Sequence, residues 1–319
     1  MENIQLLLTP AVQAYLIGLI YRNTRTTCLS LCALCPWVSH DTLGRLLLSG
    51  LSWSRRLWEV FARHLVNSDG YIVLDDTSWQ RWAKKAEAVS LVWCGSVGKV
   101  LLGMQVVLLI WTDGKWKVPI GIRLWQKGGP SKVELAQELF SEAAKRGIRP
   151  KYVVFDSWYA AAVVLNLLGK LGWSYVAQIK SNRKLNGKSI RHLWPQRYGQ
   201  AVGRFSRVNH QVRVIKDGRR YWASNDLDLT RTQIKEHYGI RQQIEETFRL
   251  LKQEFGWGQS RMRKAAAQIA HLHLGLIALC LTQHAAYSQK QTIYAFKRQL
   301  FRQPIPDHLP LFNDFFAPA

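Results

Sequence analysis

Two apolar runs, each closed by an aspartate, set the tightest limit on how this chain can fold. Tyr71-Ile72-Val73-Leu74 runs into Asp75-Asp76-Thr77, and Tyr152-Val153-Val154-Phe155 ends at Asp156. Short unbroken runs rich in β-branched and aromatic residues suit strands covered on both faces. Further strands are expected at Val100–Trp111, at Trp116–Leu124 beyond the Asp113-Gly114 turn, and at Ser174–Ile179. Pro119 marks an irregular or edge position in the second of these. Ser131 and Glu134 form a capping box for a helix from Lys132 to Arg146 that stops at Gly147. Another helix runs from Tyr159 to Lys170 and closes at Gly172. Strands alternating with helices predict an α/β protein built on a mixed sheet.

In such a sheet the two aspartate-ended strands can be neighbours, and their carboxylates then meet at one edge. Side-by-side anions need a cation. Hard oxygen ligands select Mg²⁺ or Mn²⁺ over zinc. A third carboxylate from a late helix, for which Glu245 is the candidate, would complete a two-metal site for phosphoryl transfer. Taken one at a time, each acid also fits a surface residue, a helix cap or a turn after a strand.

Charge points to the partner. The 319 residues carry 44 Lys+Arg against 21 Asp+Glu, a formal net charge of +23. Such a surplus argues for a polyanion, nucleic acid before membrane. The 48% of hydrophobic residues excludes disorder as the main state. Residues 180–220 concentrate the charge: 12 Lys/Arg and a single acid, Asp217, interleaved with Trp194, Tyr198 and Phe205. Short β pieces at Gln211–Ile215 and Tyr221–Ser224 flank an Asp217-Gly218 turn. A nucleic-acid groove explains this better than a solvated surface, and Lys180, Arg183, Lys184, Lys188 and Arg191 are its expected DNA contacts.

The flanks are helical. Residues 1–68 should hold Leu6–Tyr21, a helix capped by Ser39 or Asp41 and running through Leu43, Leu46 and Leu47 to Gly50, and a helix from Trp53 to Val66 exposing Arg55, Arg56 and Arg63. DNA docking and plain helical packing account equally well for this region. One long helix is expected from Thr230 to Gly256, then an apolar helix from Met262 to Gln289, then a loosely ordered Pro-rich tail over 304–319. Cys28, Cys32 and Cys35 have the C-x3-C-x2-C spacing of an iron–sulfur site, but they also share one helix face and read as core hydrophobes. Gly187-Lys188-Ser189 lacks the first glycine of a phosphate loop, position 182 being Asn182. His271 and His273 read as packed or helix-surface residues. No segment reads as a membrane span or an export signal. With five cysteines, an odd number, this predicts a cytoplasmic, nucleoid-associated protein.

Tyr238-x2-Arg241-x3-Glu245-x6-Lys252 resembles the Y-(2)-R-(3)-E-(6)-K signature of the IS4 superfamily of DDE transposases. Ile72–Thr77 and Val153–Tyr159 look like its first and second aspartate motifs. The resemblance covers about 70–281 and implies an RNase H-like mixed-sheet core over 69–303 with a β-rich insertion at about 180–225. It implies that Asp76, Asp156 and Glu245 hold two Mg²⁺ or Mn²⁺ ions. Asp76 is preferred to Asp75 because it directly precedes the threonine. Glu246 projects about 100° away from Glu245 around a helix. Tyr238, Arg241 and Lys252 would contact phosphates at the transposon end. The implied function is cut-and-paste transposition by a homodimer that binds terminal inverted repeats and target DNA, with no membrane partner. An RNase H-like nuclease such as a resolvase shares the triad, and a domesticated DNA-binding protein shares the charge; the four-residue spacing favours the transposase over both.

Overall fold

The computed structural model describes residues 9–21, 27–62, 65–83, 85–95 and 97–309. Arg63 and residues 310–319 of the expected tail lie outside them. The chain forms two compact units, residues 1–65 with 77–105 and 246–319, and residues 66–76 with 106–245.

The first unit is mostly helical. It holds α1 (Pro10–Tyr21), α2 (Cys28–Leu34), α3 (His40–Leu48) and α4 (Trp53–Arg56), which runs on as a π-helix over Leu57–Ala62. Ser39 caps α3, as its sequence suggests. At the centre lies α9 (Ala265–Ser288), apolar on every side and packed against α1 and α3. It is long and apolar enough to cross a membrane, but 83% of its most apolar stretch is buried inside the protein. The unit also contains α10 (Ile293–Leu300) and the antiparallel hairpin of β2 (Ser90–Cys94) with the start of β3 (Lys99–Thr112). Neither β2 nor α10 is anticipated from the sequence. Leu91 and Trp93 of β2 stay exposed, so its apolar content does not report burial. Cys28, Cys32 and Cys35 are free thiols on and just beyond α2, with Cys35 buried. Among the described residues, no three of His, Cys, Asp and Glu form a ready-made metal cage.

His271 is packed. Its Nε2–H donates to the Gly256 carbonyl (3.1 Å), so Nδ1 accepts from the Tyr15 hydroxyl (2.8 Å). Burial pulls its pKa down to about 4. The folded chain therefore binds fewer protons than the unfolded one between pH 6.5 and about 4. Stability is full above pH 6.5 and falls with pH through that window, by about 3 kcal/mol at pH 4. His271→Gln is expected to flatten the melting temperature against pH over that window; an unchanged slope would show that His271 is not the acid-labile group.

The second unit is a twisted mixed sheet. β1 (Tyr71–Gln80) belongs to it up to Asp76, and β3 from Val106. Outward from β3 the order is β1, β5 (Val153–Phe155), β6 (Tyr175–Ile179), β11 (Arg220–Ser224), β10 (Val212–Asp217) and β9 (Tyr198–Gly203), with β4 (Val118–Trp125) also on β3. β1, β5 and β6 are parallel, in register at Ile72↔Val153 and Val153↔Tyr175. Helices α5 (Lys132–Lys145) and α6 (Ala162–Lys170) lie on the connections that parallel pairing requires. Ser131 and Glu134 make the expected capping box, and Gly147 and Gly172 end the two helices in the left-handed conformation. Arg123 of β4 pairs with Glu138 (2.9 Å) and Glu142 (2.7 Å) and so fixes α5 on the sheet.

The β-rich insertion extends this sheet, with β11 running antiparallel along β6. Asn186 and Gly187 both have positive φ and form the tight turn between β7 (Lys184–Leu185) and β8 (Lys188–Ser189). That Asn-Gly turn is the reason for the glycine at 187.

Candidate active site

The expected single helix over Thr230–Gly256 is two helices, α7 (Arg231–Gly239) and α8 (Gln242–Glu254). Between them the backbone tightens into i→i+3 bonds, from Ile240 N–H to the His237 carbonyl and from Arg241 N–H to the Tyr238 carbonyl. Gly239 and the β-branched Ile240 are weak helix formers at the break. Tyr238 therefore lies on α7, Arg241 in the break, and Glu245 and Lys252 on α8.

β1 and β5 bring the aspartates together. One step beyond the Leu74↔Phe155 pair, Asp75 stands abreast of Asp156, and the charge of the neighbouring Asp76 also bears on Asp156. Asp75 is buried, and its Oδ2 accepts from Arg241 Nη2 at 2.5 Å. Arg241 also pairs with Glu245, which is half exposed. Burial drives Asp75 up to about pKa 7, against the pull of Arg241 and with help from the charges of Asp156 and Asp76. Burial likewise raises Asp156, opposed by the Trp158 N–H on its Oδ1 (2.9 Å). Burial alone would lower Arg241, but Asp75 holds it firmly charged.

Asp76 has its own partners. Its Oδ1 accepts from Lys132 Nζ (2.8 Å) and from the Tyr159 hydroxyl (2.6 Å). Sequence reasoning missed both, because they lie 56 and 83 residues away and carry no local signal. Tyr238 donates to Gln178 Oε1 (2.9 Å), and Lys252 Nζ donates to Thr77 Oγ1 (2.6 Å) and the Ser78 carbonyl (2.9 Å). Lys252 thus braces β1 just past Asp76. Of the expected DNA contacts, Lys180, Lys184, Lys188 and Arg191 are exposed and Arg183 is half-buried.

This donor set suits a hard divalent cation. Burial leaves Asp75 and Asp156 reluctant to ionise, with neighbouring carboxylates adding to the effect, a condition that added positive charge relieves. Arg241 and Lys132 supply part of that charge from within the protein.

Parallel β1, β5 and β6, flanked by β3 and β4, with Asp75 and Asp76 within β1 and Asp156 just beyond β5, define an RNase H-like core. The piggyBac transposase synaptic complex with hairpin DNA shares the fold, at a TM-score of 0.55 and 12% identity over 99% of this chain and 72% of that one. The chain belongs to the DDE superfamily endonucleases, whose family profile matches residues 9–247. It is also similar to the probable transposase for insertion sequence element IS701 of Microchaete diplosiphon, 23% identical over 225 residues. That match spans 60% of this chain and 59% of the relative's length.

Proposed function

We propose that this protein is the DNA transposase of an insertion sequence, of the IS4 superfamily type, acting in the cytoplasm as a homodimer on paired terminal inverted repeats. The observation that carries the reading is the pair of adjacent parallel strands β1 and β5, which bring buried Asp75 level with half-buried Asp156, with Arg241 tying Asp75 to Glu245. Asp76, Asp156 and Glu245 would hold Mg²⁺ or Mn²⁺ ions, which when bound activate water and neutralise charge at the scissile phosphate. Arg241 offers a planar fork that can leave Glu245 for a phosphate. Lys132 sits at Asp76 and can do the same as a point charge. The exposed lysines and arginine of the insertion hold the DNA backbone, with affinity that falls steeply with salt.

Nicking of plasmid DNA by purified protein with Mg²⁺ or Mn²⁺ tests the reading. Activity lost on Asp76→Asn but retained on Asp75→Asn supports the assignment. The reverse moves the first ligand to Asp75, and retention in both variants rejects the site.

A further inference from the structure

We infer that Lys132 is a built-in competitor of the metal at Asp76, and that DNA opens the site by drawing this ammonium onto a phosphate, so that DNA and metal bind cooperatively. The inference rests on the proposed function and adds a regulation of that same site.

Lys132 Nζ lies 2.8 Å from Asp76 Oδ1, the oxygen that also accepts from the Tyr159 hydroxyl (2.6 Å). One oxygen of an ionised carboxylate offers about two lone-pair sites, and these two donors fill them. A divalent ion at Oδ1 and the Lys132 ammonium therefore exclude one another, by space and by like charge. The pair is well seated. The side chains of Lys132 and Asp76 are 16% and 15% exposed, so solvent and salt screen it little. The same ammonium lies 4.4 Å from the Trp158 ring centroid, a second favourable contact.

The lysine is poorly placed for the helix that it opens. Lys132 is the first residue of α5, at the positive end of the helix dipole, where acids are favoured and cations are not. Glu134 in the same turn follows that preference and completes the cap. A residue that breaks a local rule while holding a candidate ligand points to a role at that ligand. Arg241 covers Asp75 and Glu245 in the same manner. Of the four acids gathered there, three thus carry a cation of the protein's own.

A DNA phosphate is the alternative anion for an ammonium on a flexible four-carbon stem. Once Lys132 turns to the phosphate, Asp76 is left as an uncovered anion and its affinity for metal rises. By linkage, metal then strengthens DNA binding by the same factor. The site is held from loading metal until DNA is in place.

Mn²⁺ binding to the full-length protein is measured by electron paramagnetic resonance, with and without a short mixed-sequence duplex, after subtraction of the Mn²⁺ held by duplex alone. Lys132 is the residue to change, because Arg241 also holds the fold together. Without DNA, Lys132→Met is expected to bind Mn²⁺ about tenfold tighter than wild type, and Lys132→Arg about as wild type does. Duplex should tighten Mn²⁺ binding about tenfold or more in the wild type and clearly less in Lys132→Met. Equal or weaker Mn²⁺ binding by Lys132→Met without DNA overturns the inference, as does an equal gain from duplex in both proteins. So does a wild type that gains nothing from duplex, a readout that needs no variant to fold. Wild-type protein that nicks plasmid with Mn²⁺ while any of these three results is found rejects this inference alone. Protein that neither nicks plasmid nor binds Mn²⁺, with or without duplex, rejects the proposed function with it.

Discussion

Asp156→Asn will abolish metal-dependent DNA cleavage and, in metal-free buffer at neutral pH, raise the melting temperature. The two effects have one cause. Asp156 is a partly buried anion at the end of β5, abreast of Asp75, and burial raises both of their pKa values. The amide is nearly isosteric and keeps an oxygen for the Trp158 N–H that now donates to Oδ1. The fold keeps its contact and loses a repulsive charge, while the proposed metal site loses a ligand. Removing several kcal/mol of charge stabilisation from the transition state slows cleavage by about 10³-fold or more. Cleavage gels and metal-free thermal melts check both halves. Retained cleavage would remove Asp156 from the site, and a lowered melting temperature would mean that its charge is compensated in the fold.

Arg241→Ala has the largest expected effect on stability. On sequence grounds a DNA phosphate is the natural anion for this arginine, and the variant would then fold normally. The structure gives it two internal anions instead, Asp75 and Glu245. Its side chain is 22% exposed and that of Asp75 10%, so removal leaves a buried carboxylate without its main partner. Breaking a buried pair from one side costs about 3–5 kcal/mol. Arg241→Lys should recover only part, because a point charge cannot serve two carboxylates as the guanidinium fork does. Urea unfolding at pH 7.5 measures the loss. A change under about 1 kcal/mol, the scale of an exposed pair, would show that Arg241 is held loosely enough to be a DNA contact alone.

The sheet core was legible because its signals are local and continuous. Val153–Phe155 and Ile72–Leu74 are apolar throughout, and Ser131, Glu134 and Gly147 bound α5 with caps that act over a few residues. The pairing of the two aspartate ends follows from the strands being neighbours, and the structure bears that out. The break at Ile240-Arg241 was hidden because a lone glycine is tolerated in a helix, and periodicity on either side runs through it unbroken. Asp75 read as part of a turn, since Asp-Asp-Thr looks like the end of a strand; in fact β1 continues to Gln80 and buries it. The tethering of Asp76 by Lys132 and Tyr159 is purely tertiary, and no pattern along the chain encodes it. The Asn186-Gly187 turn is encoded in its Asn-Gly pair, and the Gly187-Lys188-Ser189 run, already excluded as a phosphate loop by Asn182, belongs to it.

The most direct test of the account is strand joining. Duplex ends bearing the inverted repeats that flank the protein's own reading frame, cut to expose the terminal 3′-OH, are mixed with the protein, Mg²⁺ and a target plasmid. The account predicts covalent joining of those ends to the plasmid, dependent on the repeat sequence and lost with Asp76→Asn, Asp156→Asn or Glu245→Gln. Cleavage without joining would make the chain a nuclease, and DNA binding with neither reaction would contradict the catalytic site itself.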